Sequence, residues 1–127
     1  MSNLLHSEIT GTILECFFKV YNSLGYGFLE KVYERALVIE LRHSGLECSV
    51  QYPIKVYYEG EIVGDYFADI MVEGKVIVEL KAADVLCEEH EFQLINYLKA
   101  TDVEVGLLLN FGTKPQYKRK VFSNGRK

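Results

Sequence analysis

The spacing of apolar positions changes along the chain, from helical periods in the first third to strand-like runs after about residue 48. From about Ser7 to Leu24, apolar residues recur every three or four positions, which predicts an amphipathic helix that "GYG" ends. A second helix is predicted from about Leu29 to His43, with Gly45 after its end. The predicted inward positions of this second helix are Val32, Ala36, Leu37 and Leu41.

The middle and end of the chain predict four strands and a third helix. Glu59-Gly60 and Glu73-Gly74 separate three segments rich in β-branched and aromatic residues, as hairpin turns would. These three segments are "SVQYPIKVYY", "EIVGDYFADIMV" and "KVIVELKA". The segment "EEHEFQLINYLKAT" has helical spacing at Phe92, Ile95 and Leu98 or Lys99, and "EVGLLLNFG" is typical of a buried strand. A helix between the last two strands requires a right-handed crossover, so we expect these strands to be parallel.

The predicted element order is ααβββαβ, an α/β fold with a mixed sheet flanked by helices. The 127 residues are about the length of one ordinary domain, and the pattern shows no repeat or linker. A composition of 49% hydrophobic and 25% charged residues is typical of a globular protein. We therefore predict a single domain over residues 1–127.

The charge of the chain is unevenly distributed. Six of the 14 basic residues lie in the segment 114–127, which we interpret as a basic C-terminal tail. The first 113 residues hold the other 8 basic residues and all 18 acidic ones, a net charge of −10. Such a body does not attract nucleic acid by its overall field, so phosphate contacts would need a local patch such as this tail. On charge alone, a solubilising role of the tail is favoured.

Membrane and thiol signals are weak in this sequence. No apolar run approaches the roughly 18 residues that cross a bilayer, and the start of the chain lacks the pattern of a secretory signal. We therefore expect a cytoplasmic protein with no membrane contact. The three cysteines have no CxxC or Cys/His spacing, which indicates neither a disulfide framework nor a zinc site.

Two charged residues interrupt the third predicted strand. Because side chains alternate along a strand, Glu79 and Lys81 share one face. Such groups are costly to bury unless they pair, bind a metal or reach a water-filled cleft. A simple ion pair at an exposed strand end is the plainer explanation when this pair is taken alone.

Asp69 on the preceding strand brings a second carboxylate near Glu79, if the register allows it. A two-residue turn at Glu73-Gly74 would send the two side chains to opposite faces of the sheet. A three-residue loop, Val72-Glu73-Gly74, would put them on the same face, and we predict this odd loop or an equivalent bulge. Two converging carboxylates can hold Mg²⁺, and Lys81 beside the ion could assist an attacking water.

At this point the sequence resembles a known family. Asp69 followed by Glu79-Leu80-Lys81 resembles the signature of the PD-(D/E)xK nuclease superfamily. The segment "GYGFLEKVYE" is similar to the motif that names the GxxExxY proteins, a prokaryotic family within that superfamily, and the similarity extends over almost the whole chain. The residues of this motif are Gly27, Glu30 and Tyr33.

The resemblance implies a restriction-endonuclease-like core whose acids gather at one edge of the sheet. It implies Glu30, Asp69 and Glu79 as metal ligands, with the Leu80 carbonyl as a further ligand. Together with Lys81, these three acids are the implied catalytic residues, and the implied cofactor is Mg²⁺ or Mn²⁺. Glu30 alone would equally be explained as an acid that complements the dipole at the start of its helix.

The segment "QLINY" resembles the QxxxY element of the exonuclease branch of the superfamily. Gln93 and Tyr97 are four residues apart, so they project from one face of a helix. The resemblance implies that these two residues and Tyr33 position substrate. The alternative is that both tyrosines are core residues whose hydroxyls reach the surface and that Gln93 is a surface residue.

The function that the resemblance implies is a Mg²⁺-dependent nuclease, a hydrolase that cleaves phosphodiester bonds with metal-activated water. Its partner would be nucleic acid, with DNA favoured over RNA. The alternative is a catalytically silent binding or scaffold protein of the same fold, acting as a homodimer or in a complex. The acidic body of the chain favours this alternative because it lacks a broad basic surface.

Overall fold

The computed structural model describes residues 4–127 and shows a five-stranded sheet with helices on both faces. The fold class predicted from the sequence is confirmed: the chain is an α/β protein with a mixed sheet. The elements are α1 (Ser7–Leu24), α2 (Glu30–His43), β1 (Cys48–Tyr58), β2 (Glu61–Val72), β3 (Val76–Lys81), α3 (Glu88–Lys99), β4 (Val105–Phe111) and β5 (Pro115–Val121), followed by a 3-10 turn (Asn124–Arg126).

The strands lie side by side in chain order. The first three pair antiparallel, β3 and β4 pair parallel across the α3 crossover as predicted, and β5 pairs antiparallel with β4. Helices α1 and α2 cover one face, with Phe17 and Leu37 in the core, and α3 covers the other face with Leu94. Because β3 and β4 are covered on both faces, their sequences are continuous apolar runs.

The buried faces of α2 and α3 are rotated from the predicted ones. Val32, predicted to face inward, is 39% exposed, and Phe92, an apolar position of the predicted third helix, is 56% exposed. The residues buried on α2 are Tyr33, Glu34, Leu37, Val38 and Leu41, and those on α3 are Leu94, Tyr97 and Leu98. Both helices carry apolar residues on more than one side, so packing against the sheet decides which side is buried.

The first half of the segment predicted as a basic tail forms the edge strand β5. Tyr117 packs edge-to-face on Phe18 with 6.2 Å between ring centroids. Lys120 Nζ lies 2.6 Å from Glu91 Oε1 and ties the strand to α3. Lysines on an edge strand hinder pairing with other chains, and in the sequence such a run of basic residues indicates a tail. The observed order is therefore ααβββαββ.

The loop between β2 and β3 has the predicted odd length, but it lies one residue later than predicted. Val72 pairs with Val76, so the loop is residues 73–75 rather than 72–74. Both Glu73 (φ 55°) and Gly74 (φ 63°) are left-handed. Glu73 is held by Glu47, whose carbonyl accepts from the Glu73 N–H at 2.8 Å and whose N–H donates to Glu73 Oε2 at 2.6 Å. This double contact leaves Val72 in the strand.

The structure also bears on membranes and thiols. No helix within residues 4–127 is long and apolar enough to cross a membrane. Cys16, Cys48 and Cys87 are free thiols, of which Cys16 is buried. The fold is therefore held together by its two apolar cores, without a disulfide among the described residues.

Candidate active site

Two carboxylates lie where β2 and β3 separate. The last paired residues are Ile70 and Val78, and continuing this register places Asp69 opposite Glu79. The Asp69 N–H donates to Glu79 Oε2 at 2.7 Å, and the Leu80 N–H donates to Asp69 Oδ2 at 2.7 Å. Because backbone N–H groups in a protein interior need acceptors, the two side chains stand in for the missing sheet hydrogen bonds. The predicted meeting of the two acids therefore occurs, and both side chains are fixed by the backbone.

The acid pair is short of positive charge. Glu79 is only 4% exposed, and burial, followed by the negative charge of Asp69, raises its pKa to about 8. Burial also raises the pKa of Asp69, with smaller contributions in the same direction from Glu34 and Glu30. The positive charge of Lys81 lowers both pKa values, but by less than burial raises them. A bound cation would stabilise the ionised form of both carboxylates.

Glu34 is a site residue that the sequence analysis missed. It is 5% exposed, its Oε1 accepts from Gln51 Nε2 at 2.9 Å, and its Oε2 accepts from Lys31 Nζ at 2.6 Å. Glu34 and Glu30 line a cavity of about 140 Å³ together with Asp69. Of the two helix acids, Glu34 raises the pKa of Asp69 more than Glu30 does. Glu30 is brought to the same cavity as predicted, but it is exposed.

The backbone of Gln51 is strained next to this cavity. Its φ of 50° is left-handed, although its neighbours Val50 and Tyr52 both pair regularly with β2. A non-glycine residue with such a φ carries a conformational cost that neighbouring contacts must offset. Here the contact is the hydrogen bond to Glu34, so Gln51 links β1 to α2 at the site.

Gln93 and Tyr97 lie together on the α3 side of the acid pair. Gln93 Nε2 donates to the Tyr97 hydroxyl oxygen at 3.1 Å, and Tyr97 is 5% exposed. Burial, followed by the negative charges of Glu79 and Asp69, raises the pKa of Tyr97 to about 12. The tyrosine is therefore close enough to sense both carboxylates. The two residues implied by the QxxxY resemblance share one face of the helix, as expected.

Tyr33 lies in the core and not in the cleft. It is fully buried and stacks on Phe111, with 4.2 Å between centroids and 13° between ring planes. Its hydroxyl donates to the Gly25 carbonyl at 2.7 Å and accepts from the Phe28 N–H at 3.2 Å. Tyr33 is therefore a core residue, which is the alternative to the substrate-positioning role implied by the resemblance. Tyr33 holds the loop that precedes Glu30, so it acts on the site through the start of α2.

The chain that follows Lys81 is fixed by β4. Asn110 is fully buried, and its side chain donates to the Ala83 carbonyl and accepts from the Ala83 N–H, both at 2.9 Å. A Cβ on Gly112 would lie 2.2 Å from the Ala83 oxygen, so this approach requires glycine. Lys81 is the register partner of Asn110 and is partly exposed. The contacts of Asn110 and Gly112 with Ala83 therefore fix the backbone that follows Lys81.

A family model matches most of the chain. The family model described as the PD-(D/E)XK nuclease superfamily matches residues 7–121, from the start of α1 to the end of β5. The chain belongs to this superfamily. No curated protein matches the chain, and no solved structure does. Since the superfamily match includes β5, the segment predicted as a tail contributes to the family fold in its first half.

The carboxylates at the point where β2 and β3 separate fit the divalent ion that the superfamily implies. No three acidic, histidine or cysteine side chains converge into a ready-made metal centre in the described part of the chain. Mg²⁺ needs only one or two carboxylates because it keeps several waters. Asp69 and Glu79 supply two carboxylates whose raised pKa values favour an added positive charge. The residues present therefore fit a magnesium ion held partly by water.

Proposed function

We propose that this member of the PD-(D/E)XK superfamily is a Mg²⁺-dependent nuclease that hydrolyses phosphodiester bonds of nucleic acid. The observation that carries the proposal is the pair of carboxylates, Asp69 and Glu79, which each accept a backbone N–H where β2 and β3 separate and which are short of positive charge. Lys81 at the end of the same strand supplies the third group of the superfamily signature. Mn²⁺ is the natural substitute for Mg²⁺ at such an oxygen-rich site.

Asp69 and Glu79 would hold the ion, with the Leu80 carbonyl and Glu30 as further oxygen donors. When bound, Mg²⁺ lowers the pKa of a coordinated water and polarises the phosphoryl group. Lys81 would stabilise the negative charge that develops as the water loses its proton. Glu34 would act as a positioning residue, because it joins α2 to Gln51 beside the metal ligands.

Tyr97 and Gln93 would orient the substrate on the α3 side of the acid pair, across from Glu30 and Glu34 on α2. With a pKa of about 12, the Tyr97 hydroxyl keeps its proton at neutral pH and can donate it in a hydrogen bond to a phosphate oxygen. Gln93 donates to the hydroxyl oxygen and so leaves the phenolic proton free to point at substrate. The pair therefore suits recognition of a phosphate.

The finer assignments rest on the sequence resemblance. Gly27, Glu30 and Tyr33 support membership of the prokaryotic GxxExxY family within the superfamily. The proposal includes DNA rather than RNA as the substrate and a cytoplasmic location. It also includes a homodimer or a protein partner, which would add nucleic-acid-binding surface to an acidic chain.

Calorimetric titration of Mg²⁺ and Mn²⁺ tests the metal site. Asp69→Asn keeps an oxygen that can accept from the Leu80 N–H but removes the charge, so we expect the fold to persist and metal binding to fall at least about tenfold. The matched control is Asp65→Asn, an exposed carboxylate on the same strand that pairs with Lys55. Metal uptake that is absent at millimolar concentration, or equal in the two variants, refutes the site.

A cleavage assay on single-stranded and double-stranded DNA and RNA tests the reaction. Lys81→Gln should retain metal binding and lose about 100-fold or more in cleavage rate, because charge stabilisation of the transition state is removed. Glu34→Gln and Glu30→Gln, measured side by side, show which acid of α2 supports the site. A wild-type protein that binds metal and nucleic acid but cuts none of the four substrates would be the silent binding protein instead.

A further inference from the structure

A second cavity, which neither Asp69 nor Glu79 lines, lies between α3 and the hairpin of β1 and β2. The β2–β3 pairing starts only at Ile70, so the residues of β2 before it form a two-stranded ribbon with β1. This ribbon and α3 enclose a cavity of about 770 Å³. Tyr57, Tyr66 and Phe92 line it and are 61%, 48% and 56% exposed. Three exposed aromatic rings around one concave surface indicate a binding site rather than a core.

The cavity shares Gln93 and Tyr97 with the candidate active site. Gln93 and Tyr97 line its wall, and Tyr97 senses the charges of Glu79 and Asp69. The ring of Tyr66 lies 5.8 Å from that of Tyr97, tilted by 44°. A ligand in the cavity would therefore lie beside the residues proposed to bind the phosphate.

Positive charge lies at Lys99, in the lining of the cavity, and at Arg126, which contacts the same Phe122 ring as Lys99. Lys99 lines the cavity, and its ammonium lies 5.5 Å from the centre of the Phe122 ring. The Arg126 guanidinium lies 4.6 Å from the same ring, so two cations are gathered on one aromatic side chain. Glu89 is the acidic member of the lining. In a chain with a net charge of −4, this is a local patch that can attract phosphates.

We propose that this cavity binds an unpaired base of single-stranded nucleic acid, stacked on Tyr57, Tyr66 or Phe92, while the backbone passes Lys99 and Arg126. Aromatic rings beside basic residues are the general means by which proteins hold single strands. The bases of a duplex are already stacked and paired, so they would have to open before entering. The proposal rests on the proposed nuclease function and specifies its substrate as single-stranded or locally unpaired.

Fluorescence anisotropy of a labelled oligonucleotide of about 12 residues, in buffer with EDTA, measures binding without cleavage. Tyr57→Ala and Phe92→Ala should each weaken single-strand binding about tenfold, because a base loses its stacking partner. The matched control is Phe67→Ala, which removes an equally exposed ring (54%) that neighbours Tyr66 and so points to the other face of β2. We expect this control to change binding less than about twofold. Thermal melts establish that all three variants are folded.

Charge and strandedness provide two further measurements. Lys99→Gln combined with Arg126→Gln should lower the slope of log affinity against log salt by about 0.7 for each phosphate that is no longer neutralised. A duplex of the same sequence should bind at least about tenfold more weakly than the single strand. Equal binding of the duplex, an equal loss in the Phe67→Ala control, or no binding of either oligonucleotide overturns the proposal.

Cleavage measured with the same variants separates this proposal from the nuclease proposal. If the wild-type protein cleaves with Mg²⁺ and the Tyr57→Ala and Phe92→Ala variants cleave and bind equally well, the base site is wrong and the nuclease stands. If single-strand binding depends on these rings but neither Mg²⁺ nor Mn²⁺ supports cleavage, the nuclease is wrong and the base site stands. Binding of a peptide in place of either oligonucleotide would also overturn the base site.

Discussion

The raised pKa of Glu79 makes the stability of the metal-free protein fall as the pH rises. The pKa of this carboxyl is about 8 in the folded state, against an ordinary value of 4.5 that the unfolded chain would have. Between these two values the folded state holds a proton that the unfolded state has lost. This contribution to stability is therefore complete below about pH 4.5 and is lost as the pH rises through 8.

The size of the effect follows from the difference of about 3.5 pH units between the two pKa values. At about 1.4 kcal/mol for each unit, a rigid site would lose about 5 kcal/mol of unfolding free energy. Part of this is already lost at pH 5, and entry of water and small shifts of the strands reduce the figure further, so we expect a loss of about 2 to 4 kcal/mol between pH 5 and pH 9. The raised pKa of Asp69 acts in the same direction. Such a loss is a large fraction of the stability of an ordinary domain.

Urea denaturation in EDTA at intervals from pH 5 to pH 9 measures this dependence. Glu79→Gln removes the titrating group, so its stability should change less with pH and should exceed that of the wild type at pH 9. The matched control, Glu61→Gln, alters an exposed acid on β2 and should keep the wild-type slope. A wild-type stability that stays level or rises across this range, with the same profile in Glu79→Gln, would refute the reasoning.

Divalent ions should offset much of this loss of stability at high pH, which links the measurement to the proposed metal site. Mg²⁺ at 100 times its dissociation constant adds about 2.7 kcal/mol to the folded state. The gain should be largest above pH 8, where both carboxylates are ionised, and should vanish near pH 5, where protons compete for Glu79. The same gain in Glu79→Gln would show that the ion binds elsewhere.

Three further substitutions test the packing that positions the site, each by urea denaturation. Tyr33→Phe removes the donor to the part-buried Gly25 carbonyl and should cost about 1 kcal/mol; an unchanged stability would mean that water replaces the hydroxyl. Gly106→Ala would bring a Cβ within 2.6 Å of Leu94 and should cost about 1 to 3 kcal/mol, and a neutral result would contradict the close contact of α3 with β4. Asn110→Ala leaves two backbone groups after β3 without partners and should cost about 2 to 4 kcal/mol, while retained cleavage would show that Lys81 needs no such support.

Most of the fold could be predicted because its local and tertiary preferences agree. The period of α1 and the double-sided burial of β3 and β4 are directly visible as spacing and as apolar runs. The edge strand β5 could not be predicted this way, because a strand with one open edge tolerates the lysines that indicate a tail. The exact loop between β2 and β3 depends on the contact of Glu73 with Glu47, 26 residues away in the sequence. Local pattern carries no information on such a contact.

The candidate site also has a part that the local sequence pattern predicts and a part that it does not, and α2 shows the reason. Strand alternation and the odd loop suffice to bring Asp69 to Glu79, whereas on the helix the phase decides which acid is buried. One turn of helix contains 3.6 residues, so a step of three residues and a step of four fall on opposite flanks of the starting position. Counted from Glu30, the three-residue step reaches the core residue Tyr33, and the four-residue step reaches Glu34, which lies on the same stripe as Leu37. A carboxylate on the apolar stripe of a helix needs polar partners. That requirement, combined with the correct helical phase, is the signal in the sequence that marks Glu34 as a site residue.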